Sequence, residues 1–324
     1  MALQNNINET IIGDFLNFNR NIAEIPSKVS VPHEVKMDTC EYDVVYEEDR
    51  IRMLHYKPLT SKQISTPLVI SYAIVNRYHI FDIDPKKSFN SLEEVHTADY
   101  IFVCVPTPMF EHGEQDTQYI QNVFNYAKPG PIYIIKSTVT PGTTESLRKK
   151  YPTLNIVFSP EFLTERIAKL DMMMQARIIF GGPKELTDRV QKLYEGRFMN
   201  RHFIHTDSTT AEFIKYMNNC FFATKVSLLN EYKRLGDLIG IDWSTAMHGF
   251  AADGRVGDSH MQVPGPDGKL GFGGACFPKD INALITLAKQ HNVNMNVLKA
   301  AWVTNLEVRP EADWNSIGSR AVTK

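Results

Sequence analysis

The segments 100–105 (YIFVCV) and 132–135 (IYII) are two short apolar runs that decide the fold of this chain. The polar segment 117–127 between them is compatible with a helix. The same rhythm continues in both directions. Its further strand candidates are residues 78–83, 156–158 and 178–180, and its further helix candidates are residues 91–97 and 143–150. Strands that alternate with helices predict a parallel, doubly wound α/β sheet.

The first third of the chain lacks this rhythm. Residues 1–30 are Asn-rich and predict a helix with a loose start, whereas residues 42–46 and 51–56 predict two short strands. Residues 68–75 form the longest apolar run, and its β-branched character is typical of a buried strand. This run is far shorter than the ~20 residues that a membrane-spanning helix needs. We therefore expect no contact with a membrane.

The composition of the chain excludes several classes of partner. Lys and Arg total 35 against 37 for Asp and Glu, and no basic stripe is visible, so nucleic acid is not expected as a partner. The cysteines Cys40, Cys104, Cys220 and Cys276 are scattered and form neither a disulfide framework nor a metal-ligand pair. We therefore expect a reducing, cytoplasmic location and no metal site.

A long helix is predicted after residue 207. Thr209 and Glu212 have the spacing of a capping box, and no Gly or Pro follows until Gly236. This pattern predicts one helix of roughly 30 residues, or ~45 Å. Apolar side chains occupy more than one face of it, so we expect a homodimer. The residues that suggest this are Phe213, Phe221, Phe222, Val226 and Leu229.

The strongest chemical signal is the segment 271–280 (GFGGACFPKD). Pro278 suits the first position of a helix, so Cys276 is expected just before a helix N-terminus, whose dipole would lower the thiol pKa. The glycines would let the backbone approach a ligand, and Asp280 falls close enough to act with the thiol on one substrate carbon. A buried structural cysteine beside a turn is the alternative interpretation.

Further polar groups are candidate site residues. Lys215 and Asn219 are four residues apart, so both project from one face of the long helix and would hold an oxyanion. A solvated lysine beside a polar helix face is the alternative. Other candidates follow predicted strands, where ligands bind in parallel sheets, although ordinary turns have similar sequences. They are Asp82 and the segments 105–108 (VPTP), 136–139 (KSTV) and 159–165 (SPEFLTE).

In this order, the motifs resemble the UDP-glucose/GDP-mannose dehydrogenase family from about residue 81 onward. The resemblance is carried by 81–85 (FDIDP), the three strand-end segments, 212–216 (EFIKY) with Asn219, 255–257 (RVG) and 271–280. It implies a four-electron oxidation of the C6 alcohol of UDP-glucose, or of a related UDP- or GDP-sugar, by two NAD+, through a thiohemiacetal and a thioester. Cys276 would be the nucleophile, Lys215 and Asn219 would stabilise the oxyanion, and Asp280, Thr138 and Glu165 would position water or move protons. The NAD-facing residues would be Asp82, Lys87, Thr107, Thr138, Glu165 and Lys279. The substrate-binding residues would be Glu161, Phe162, Leu163, Lys215, Asn219, Arg255, Gly271, Phe272, Gly273 and Gly274.

The sequence departs from the family pattern at two points. No Gly-x-Gly-x-x-Gly turn precedes Asp82 to seat the NAD pyrophosphate, and the chain resembles short, phage-like forms without a third domain. Residues 31–80 instead resemble the N-terminal part of class III polyhydroxyalkanoate synthases, without the catalytic residues of that family.

We therefore expect an incomplete Rossmann-like parallel sheet followed by an α-helical dimerisation domain with one long helix. The predicted domains are an atypical N-terminal segment (1–80), an NAD-binding domain (81–206), a helical central domain with the cysteine loop (207–300) and a C-terminal tail (301–324). Three functions remain open: an active nucleotide-sugar 6-dehydrogenase, an impaired homologue that dimerises and binds a sugar nucleotide, and a protein related to the polymer synthases.

Overall fold

The computed structural model of the chain describes residues 42–48, 51–56, 92–196, 198 and 201–323. The chain divides into two compact units, Met1–Ser65 and Thr66–Lys324. In the first unit, strands β1 (Tyr42–Glu48) and β2 (Ile51–Tyr56) pair antiparallel, which confirms both predicted strands. The helix predicted in residues 1–30 and the strands predicted at 68–75 and 78–83 lie outside the described residues.

The second unit contains a five-stranded sheet. Its strands are β3 (Tyr100–Val103), β4 (Ile132–Ile135), β5 (Asn155–Phe158), β6 (Arg177–Gly181) and β7 (His202–Thr206), which lie in this order across the sheet. β3, β4 and β5 are parallel, and so are β6 and β7. β5 and β6 meet in an antiparallel bridge between Phe158 and Gly181, so the expected fully parallel sheet is corrected to a mostly parallel one. A Cβ at Gly181 would lie 2.6 Å from the Cβ of Ala211. Close packing against the helix that contains Ala211 therefore leaves no room for a side chain where β6 meets β5.

Helices cover both faces of this sheet. They are α1 (Leu92–Val95), α2 (Gln118–Asn125), α3 (Thr143–Lys150), α4 (Ala168–Met174) and α5 (Lys184–Glu195). α2 buries Ile120 and Phe124 in the same core as Ile135 of β4. α5 buries Val190 in the same core as Ile134. Because successive strand residues face opposite sides, β4 supports a core on each side, and the predicted Rossmann-like α/β fold is confirmed.

The apolar pattern predicts neither α4, nor α5, nor β7. β7 reads HFIHT, and its side chains are partly or fully exposed along the strand. A strand at the edge of a sheet needs no continuous apolar run, because one side of it borders no further strand. The sequence signal for β7 is correspondingly weak.

The long helix α6 spans Ser208–Leu238, which confirms the predicted helix. Its N-cap is Asp207, whose Oδ1 accepts a hydrogen bond from Thr210 N at 2.8 Å. The predicted capping box of Thr209 and Glu212 is wrong, because Glu212 is fully buried and serves another helix. Glu212 accepts hydrogen bonds from Gly142 N at 2.6 Å and from Thr144 N at 2.8 Å, at the start of α3.

One side of α6 is exposed and apolar. Val226 and Leu229, which the sequence suggests for a dimer interface, are buried in the core of the chain itself. The exposed apolar stripe of α6 consists of Phe213, Met217, Phe221, Leu228, Tyr232 and Leu235. These residues recur mostly at three- and four-residue spacing and so lie along one side of the helix.

Three further α-helices follow in the described part of the chain, namely α7 (Trp243–Ala251), α8 (Phe277–Gln290) and α9 (Asn296–Val308), and two short 3-10 helices (Asp313–Ser316 and Gly318–Arg320) come after them. α8 confirms the helix predicted from Pro278. α9 crosses the predicted domain boundary at residue 301. The residues after α9 pack into the fold. Trp314 is buried, with its ring centroid 5.1 Å from that of Trp302, so the expected polar tail is corrected. In the described part of the chain, no helix is long and apolar enough to cross a membrane.

Candidate active site

Cys276 lies where the sequence predicts, immediately before α8, whose first turn contains Pro278. Cys276 is exposed to solvent, and protein atoms also lie close enough to its thiol to desolvate it in part. Desolvation by this surrounding protein raises the pKa of the Cys276 thiol, although the charges of Lys279 and Lys215 act to lower it. The predicted lowering of this pKa is therefore wrong, because desolvation outweighs the favourable charges at the start of the helix.

Asp280 is fully buried in the first turn of α8 and joins it to α6. Its Oδ2 accepts a hydrogen bond from Asn219 Nδ2 at 2.6 Å, and its Oδ1 accepts one from Lys279 Nζ at 2.5 Å. Burial acts to lower the pKa of Lys279, but the Asp280 carboxylate and Cys276 outweigh it, so this pKa is raised. Lys279 is therefore an ammonium group held beside the thiol.

Lys215 enters the same cluster from α6 and is only 5% exposed. Its Nζ donates to the backbone carbonyl of Glu161 at 2.6 Å and lies 3.2 Å from Glu161 Oε1. Burial acts to raise the pKa of Glu161, but Lys215 and the backbone amide of Leu163 oppose this, and the pKa falls below its usual value. The alternative of a solvated surface lysine is thereby excluded.

The predicted segments after β3, β4 and β5 are tied into one wall. Ser137 Oγ donates to the carbonyl of Val105 at 2.7 Å and accepts from Val105 N at 2.7 Å. Lys136 Nζ donates to Ser159 Oγ at 3.3 Å and to the carbonyl of Pro160 at 3.2 Å. The carboxyl ends of these strands therefore meet, as a parallel sheet predicts.

Two residues of this wall have no individual role in the sequence-based prediction, although Lys136 belongs to the candidate segment 136–139. Desolvation lowers the pKa of Lys136 to about 8, against the charges of Cys104 and Glu161. Gln115 Nε2 donates to the carbonyl of Thr138 at 2.8 Å and to Tyr216 Oη at 3.1 Å, which ties the wall to α6. A lysine directly after the apolar run IYII was a usable signal for Lys136, whereas nothing local distinguishes Gln115.

The remaining predicted residues fall into three groups. Phe162 lies beside the cluster, with its ring centroid 5.3 Å from Lys215 Nζ, and Thr107 is buried beyond β3. Asp82 and Lys87 lie outside the described residues, and so does the side chain of Glu165. Arg255 is exposed and pairs with Asp253 at 2.5 Å. No hydrogen bond in the described part of the chain joins Arg255 to Lys215, Asn219 or Asp280.

The glycine loop 271–274 is shaped by side chains of the chain itself. Gly271 N donates to Asn230 Oδ1 at 3.1 Å, and Phe272 N donates to Asn305 Oδ1 at 2.7 Å. A Cβ at Gly271 would lie 2.4 Å from Asn305 Oδ1, and φ at this residue is +67°. Close packing within the protein thus accounts for this glycine, and the predicted substrate contacts of the loop remain a prediction.

The carboxyl edge of the sheet is where the predicted NAD site would lie. Dinucleotides bind outside the carboxyl ends of parallel strands, where the loops after β3 and β4 are stitched together by Ser137. Buried Thr107 lies on this edge, and Lys279 and Thr138 belong to the neighbouring cluster. Their contacts with NAD stay predictions. The upstream sequence has no pyrophosphate-binding glycine turn, since Gly13 is the only glycine before Gly113.

Family models match both the sheet region and the helical region of this chain. Residues 85–197 match the NAD binding domain of the UDP-glucose/GDP-mannose dehydrogenase family, and residues 209–307 match its central domain. The chain carries both of these family domains. The matched NAD binding domain also agrees with NAD as the predicted cofactor. Among the described residues, no cluster of His, Cys, Asp or Glu is arranged to hold a metal ion.

Individual members of this dehydrogenase family support the assignment. UDP-glucose 6-dehydrogenase of Rickettsia conorii is 34% identical over 65% of this chain and 50% of its own length. The Bacillus subtilis UDP-glucose 6-dehydrogenase YwqF is 32% identical over 64% of this chain and 48% of its own length. The solved UDP-glucose dehydrogenase of Pyrobaculum islandicum matches with a TM-score of 0.61 and 27% identity, over 71% of this chain and 55% of that one. The chain spans about half the length of the curated relatives it matches.

A second family matches the upstream part of this dehydrogenase-like chain. Residues 23–92 match the N-terminus of poly-beta-hydroxybutyrate polymerase, which confirms the resemblance seen in residues 31–80. The match overlaps the NAD binding domain by a few residues, 85–92. The sequence is therefore composite, with the change of family near the first described helix, α1.

Proposed function

We propose that this protein is a nucleotide-sugar 6-dehydrogenase that oxidises UDP-glucose, or a related UDP- or GDP-sugar, with NAD+. The observation that carries this proposal is the convergence of Lys215 and Asn219 from α6 with Lys279 and Asp280 from α8 beside Cys276. The names of the curated relatives support UDP-glucose as the first substrate to test.

In the proposed reaction, Cys276 attacks the aldehyde carbon produced by the first oxidation and forms a thiohemiacetal. A second oxidation converts this adduct into a thioester on Cys276, and water then releases the sugar acid and the free thiol. Bound NAD+ supplies the hydride acceptor for each oxidation. The chain itself must therefore stabilise a thiolate, hold an oxyanion and direct a water molecule.

The two proposed oxyanion donors have N–H groups to spare. The ammonium of Lys215 has three donors and uses two on Glu161, while the amide of Asn219 has two and uses one on Asp280. Among the described residues, each side chain therefore retains one donor for a substrate oxygen. Because existing bonds fix both groups in place, little reorganisation is needed when negative charge develops.

In this proposal, different residues stabilise the thiolate and direct the water. Lys279 and Lys215 both act to lower the pKa of Cys276, so they are the groups that would stabilise the thiolate once substrate displaces solvent. Asp280 is oriented by Asn219 and Lys279, so its carboxylate is the proposed acceptor for the attacking water. Thr138 and Glu165 keep the predicted auxiliary role in positioning that water.

We also propose that the protein is a homodimer. The apolar stripe of α6 leaves six large side chains exposed, and Phe221 at its centre is 62% exposed. Large contiguous apolar surfaces are typical of protein interfaces, and a two-fold axis would pair the stripe with itself. The dimer is part of the proposal because its interface would lie on α6, the helix that also carries the site residues Lys215 and Asn219.

The test of the proposed activity is NADH formation, followed at 340 nm with UDP-glucose, UDP-N-acetylmannosamine and GDP-mannose in parallel. Two NADH per sugar acid with one of these substrates is the expected result. Formation of one NADH with release of an aldehyde would count against the covalent second step. No NADH with any of the three sugars, at saturating NAD+, would remove the proposed activity.

A second candidate function is a sugar-nucleotide-binding dimer without turnover. The observation that favours it is the missing glycine turn before Asp82, which weakens the cofactor site without touching Cys276 or Asp280. Calorimetric titration with UDP-glucose in the absence of NAD+ separates the two functions. Tight sugar binding without NADH formation would favour this candidate.

A further inference from the structure

Arg309, at the end of α9, is a buried cation that the proposed reaction does not use. Its side chain is 3% exposed. Nε donates to Asp313 Oδ1 at 2.7 Å, Nη2 to Asp267 Oδ2 at 2.6 Å, and Nη1 to the carbonyl of Leu270 at 3.2 Å. One guanidinium thus bridges the chain before the glycine loop and the segment after α9.

The guanidinium of Arg309 also lies directly against the glycine loop. A Cβ at Gly273 would lie 2.6 Å from both Cζ and Nε of Arg309 and 2.4 Å from Asp313 Oδ1. Asp313 Oδ2 accepts a hydrogen bond from Gly274 N at 3.3 Å. Because Gly274 is two residues before Cys276, this ion pair contacts the chain just upstream of the thiol.

The two halves of the loop have different supports. Asn230 and Asn305 hold Gly271 and Phe272, at the side remote from the thiol. The other half, Gly273 and Gly274, packs against Arg309 and Asp313. Loss of the ion pair should therefore release the thiol end of the loop while the asparagine end stays in place.

The ion pair between Arg309 and Asp313 stays charged at neutral pH. Burial acts to lower the pKa of Arg309, but Asp313 and Asp267 raise it above the usual arginine value. Burial acts to raise the pKa of Asp313, but Arg309 and the Gly274 amide hold it below its usual value. The planar guanidinium of Arg309 is hydrogen-bonded on several sides, so it restricts the movement of the Gly273 backbone that packs against it.

We propose that Arg309 is a positioning residue for Cys276, acting with Asp313 through Gly273 and Gly274 to fix the thiol at the start of α8. The inference rests on the proposed function, because it concerns the nucleophile of that reaction. It places the segment after α9, which the sequence predicts to be a tail, in the machinery of the site.

The first measurement is alkylation of Cys276 by iodoacetamide across a range of pH, with the modified peptide identified by mass spectrometry. Desolvation holds the pKa of this thiol above its usual value, so a loosened loop should admit water. In Arg309→Gln the midpoint of the profile should fall toward the ordinary thiol value of about 8.5. Arg309→Lys, which keeps the charge but not the fork, should lie between wild type and Arg309→Gln.

The matched control is Glu311→Gln. Glu311 pairs with Lys269 at 3.0 Å, so it joins the same two segments, but both side chains are 41% or more exposed. This variant should keep the wild-type midpoint. In turnover assays Arg309→Gln should lower kcat roughly tenfold to a hundredfold, because a misplacement of about 1 Å costs on the order of 10²-fold. The KM for the sugar should change much less.

Several outcomes overturn the inference. A folded Arg309→Gln protein with the wild-type alkylation profile would do so, even if its melting temperature had dropped, because the role would then be structural alone. If Arg309→Gln does not fold, Asp313→Asn takes its place, and an unchanged profile there would also overturn the inference. If wild type shows no turnover, the proposed function fails, but alkylation still decides the role of Arg309.

Discussion

At the scale of single residues, the candidate site is a chain of charge-assisted hydrogen bonds that runs between two helices. Asn219 and Lys279 both donate to Asp280, and Lys215 is held by Glu161. A buried carboxylate with two fixed donors keeps one orientation, which is what a group that directs water must do. Desolvation by the surrounding protein raises the pKa of the nearby Cys276 thiol, against the charges of Lys279 and Lys215.

Cys276→Ala tests the nucleophile directly. Without the thiol no adduct can form, so formation of the sugar acid should fall by at least about 10³-fold. Cys40→Ala is the control, because Cys40 lies upstream of both matched dehydrogenase domains, so the turnover of this variant should stay close to wild type. Full production of two NADH per sugar by the Cys276→Ala protein would remove this residue from the mechanism.

At the scale of secondary-structure elements, Glu212 joins α6 to α3. Its carboxylate accepts Gly142 N and Thr144 N in place of a conventional N-cap side chain on α3. It also accepts Thr144 Oγ1 at 2.5 Å, and Arg148 of α3 adds a nearby positive charge. The contact therefore couples the sheet domain to the helix that carries Lys215.

The pH dependence of stability should reveal this contact. Burial raises the pKa of Glu212 from its usual 4.5 to about 7, against the hydrogen bonds from Thr144 and Gly142. Because the folded pKa is raised, the stabilisation from the neutral acid is complete below the unfolded value and is lost as pH rises through about 7.

Glu212→Gln stays neutral throughout this range. From about pH 4.5 to about pH 8, wild type should lose up to ~3 kcal/mol of unfolding free energy relative to the variant, at about 1.4 kcal/mol per pKa unit. Urea denaturation at both pH values measures this difference. Exposed Glu185→Gln is the control and should show no such trend. A pH-independent difference for Glu212→Gln would exclude a raised pKa at this position.

At the scale of the whole molecule, two properties extend beyond one folded chain. The apolar stripe of α6 faces solvent in a single chain, and the cofactor edge of the sheet lacks a glycine turn upstream. The first property predicts an assembly, and the second predicts a weak cofactor site.

Phe221→Glu tests the dimer. Burying a Phe side chain contributes ~1.5–3 kcal/mol, and a two-fold interface loses it twice, so the dimer dissociation constant should rise by about two to four decades. Analytical ultracentrifugation at micromolar concentration measures this change. Tyr126→Glu is the control, because Tyr126 is 52% exposed and lies outside the stripe. A monomeric wild-type protein under the same conditions would contradict the proposed dimer.

The missing glycine turn should weaken the binding of NAD+. Hydrogen bonds to charged groups are worth ~1.5–3 kcal/mol each, so the loss of two pyrophosphate contacts costs ~3–6 kcal/mol, or about two to four decades of affinity. We expect a dissociation constant in the millimolar range or weaker by calorimetry. A low-micromolar value would mean that another segment cradles the pyrophosphate.

A chimera provides the control for NAD+ binding. In it, residues 1–77 are replaced by a strand, a glycine turn and a helix of the family type. Restored binding would identify the missing turn as the cause of the weak affinity. A chimera that also fails to bind NAD+ would place the cause elsewhere in the chain.

Much of this protein could be predicted from its sequence alone. Apolar runs and helical spacing predict β3, β4 and α6 because burial on a sheet or along a helix is a local, periodic requirement. The order of short motifs likewise predicts the family, which the two matched domains confirm, and the roles of Lys215, Asn219, Cys276 and Asp280, which stay predictions.

Other features depend on contacts between distant segments. The antiparallel meeting of β5 and β6, the partner of Glu212 and the packing of Arg309 on Gly273 each join residues far apart in the chain. The pKa of Cys276 belongs with them, because it depends on how much protein surrounds the thiol. Local patterns specify which side chains seek burial, but only the assembled fold decides what each buried group meets, and desolvation and pairing follow from that.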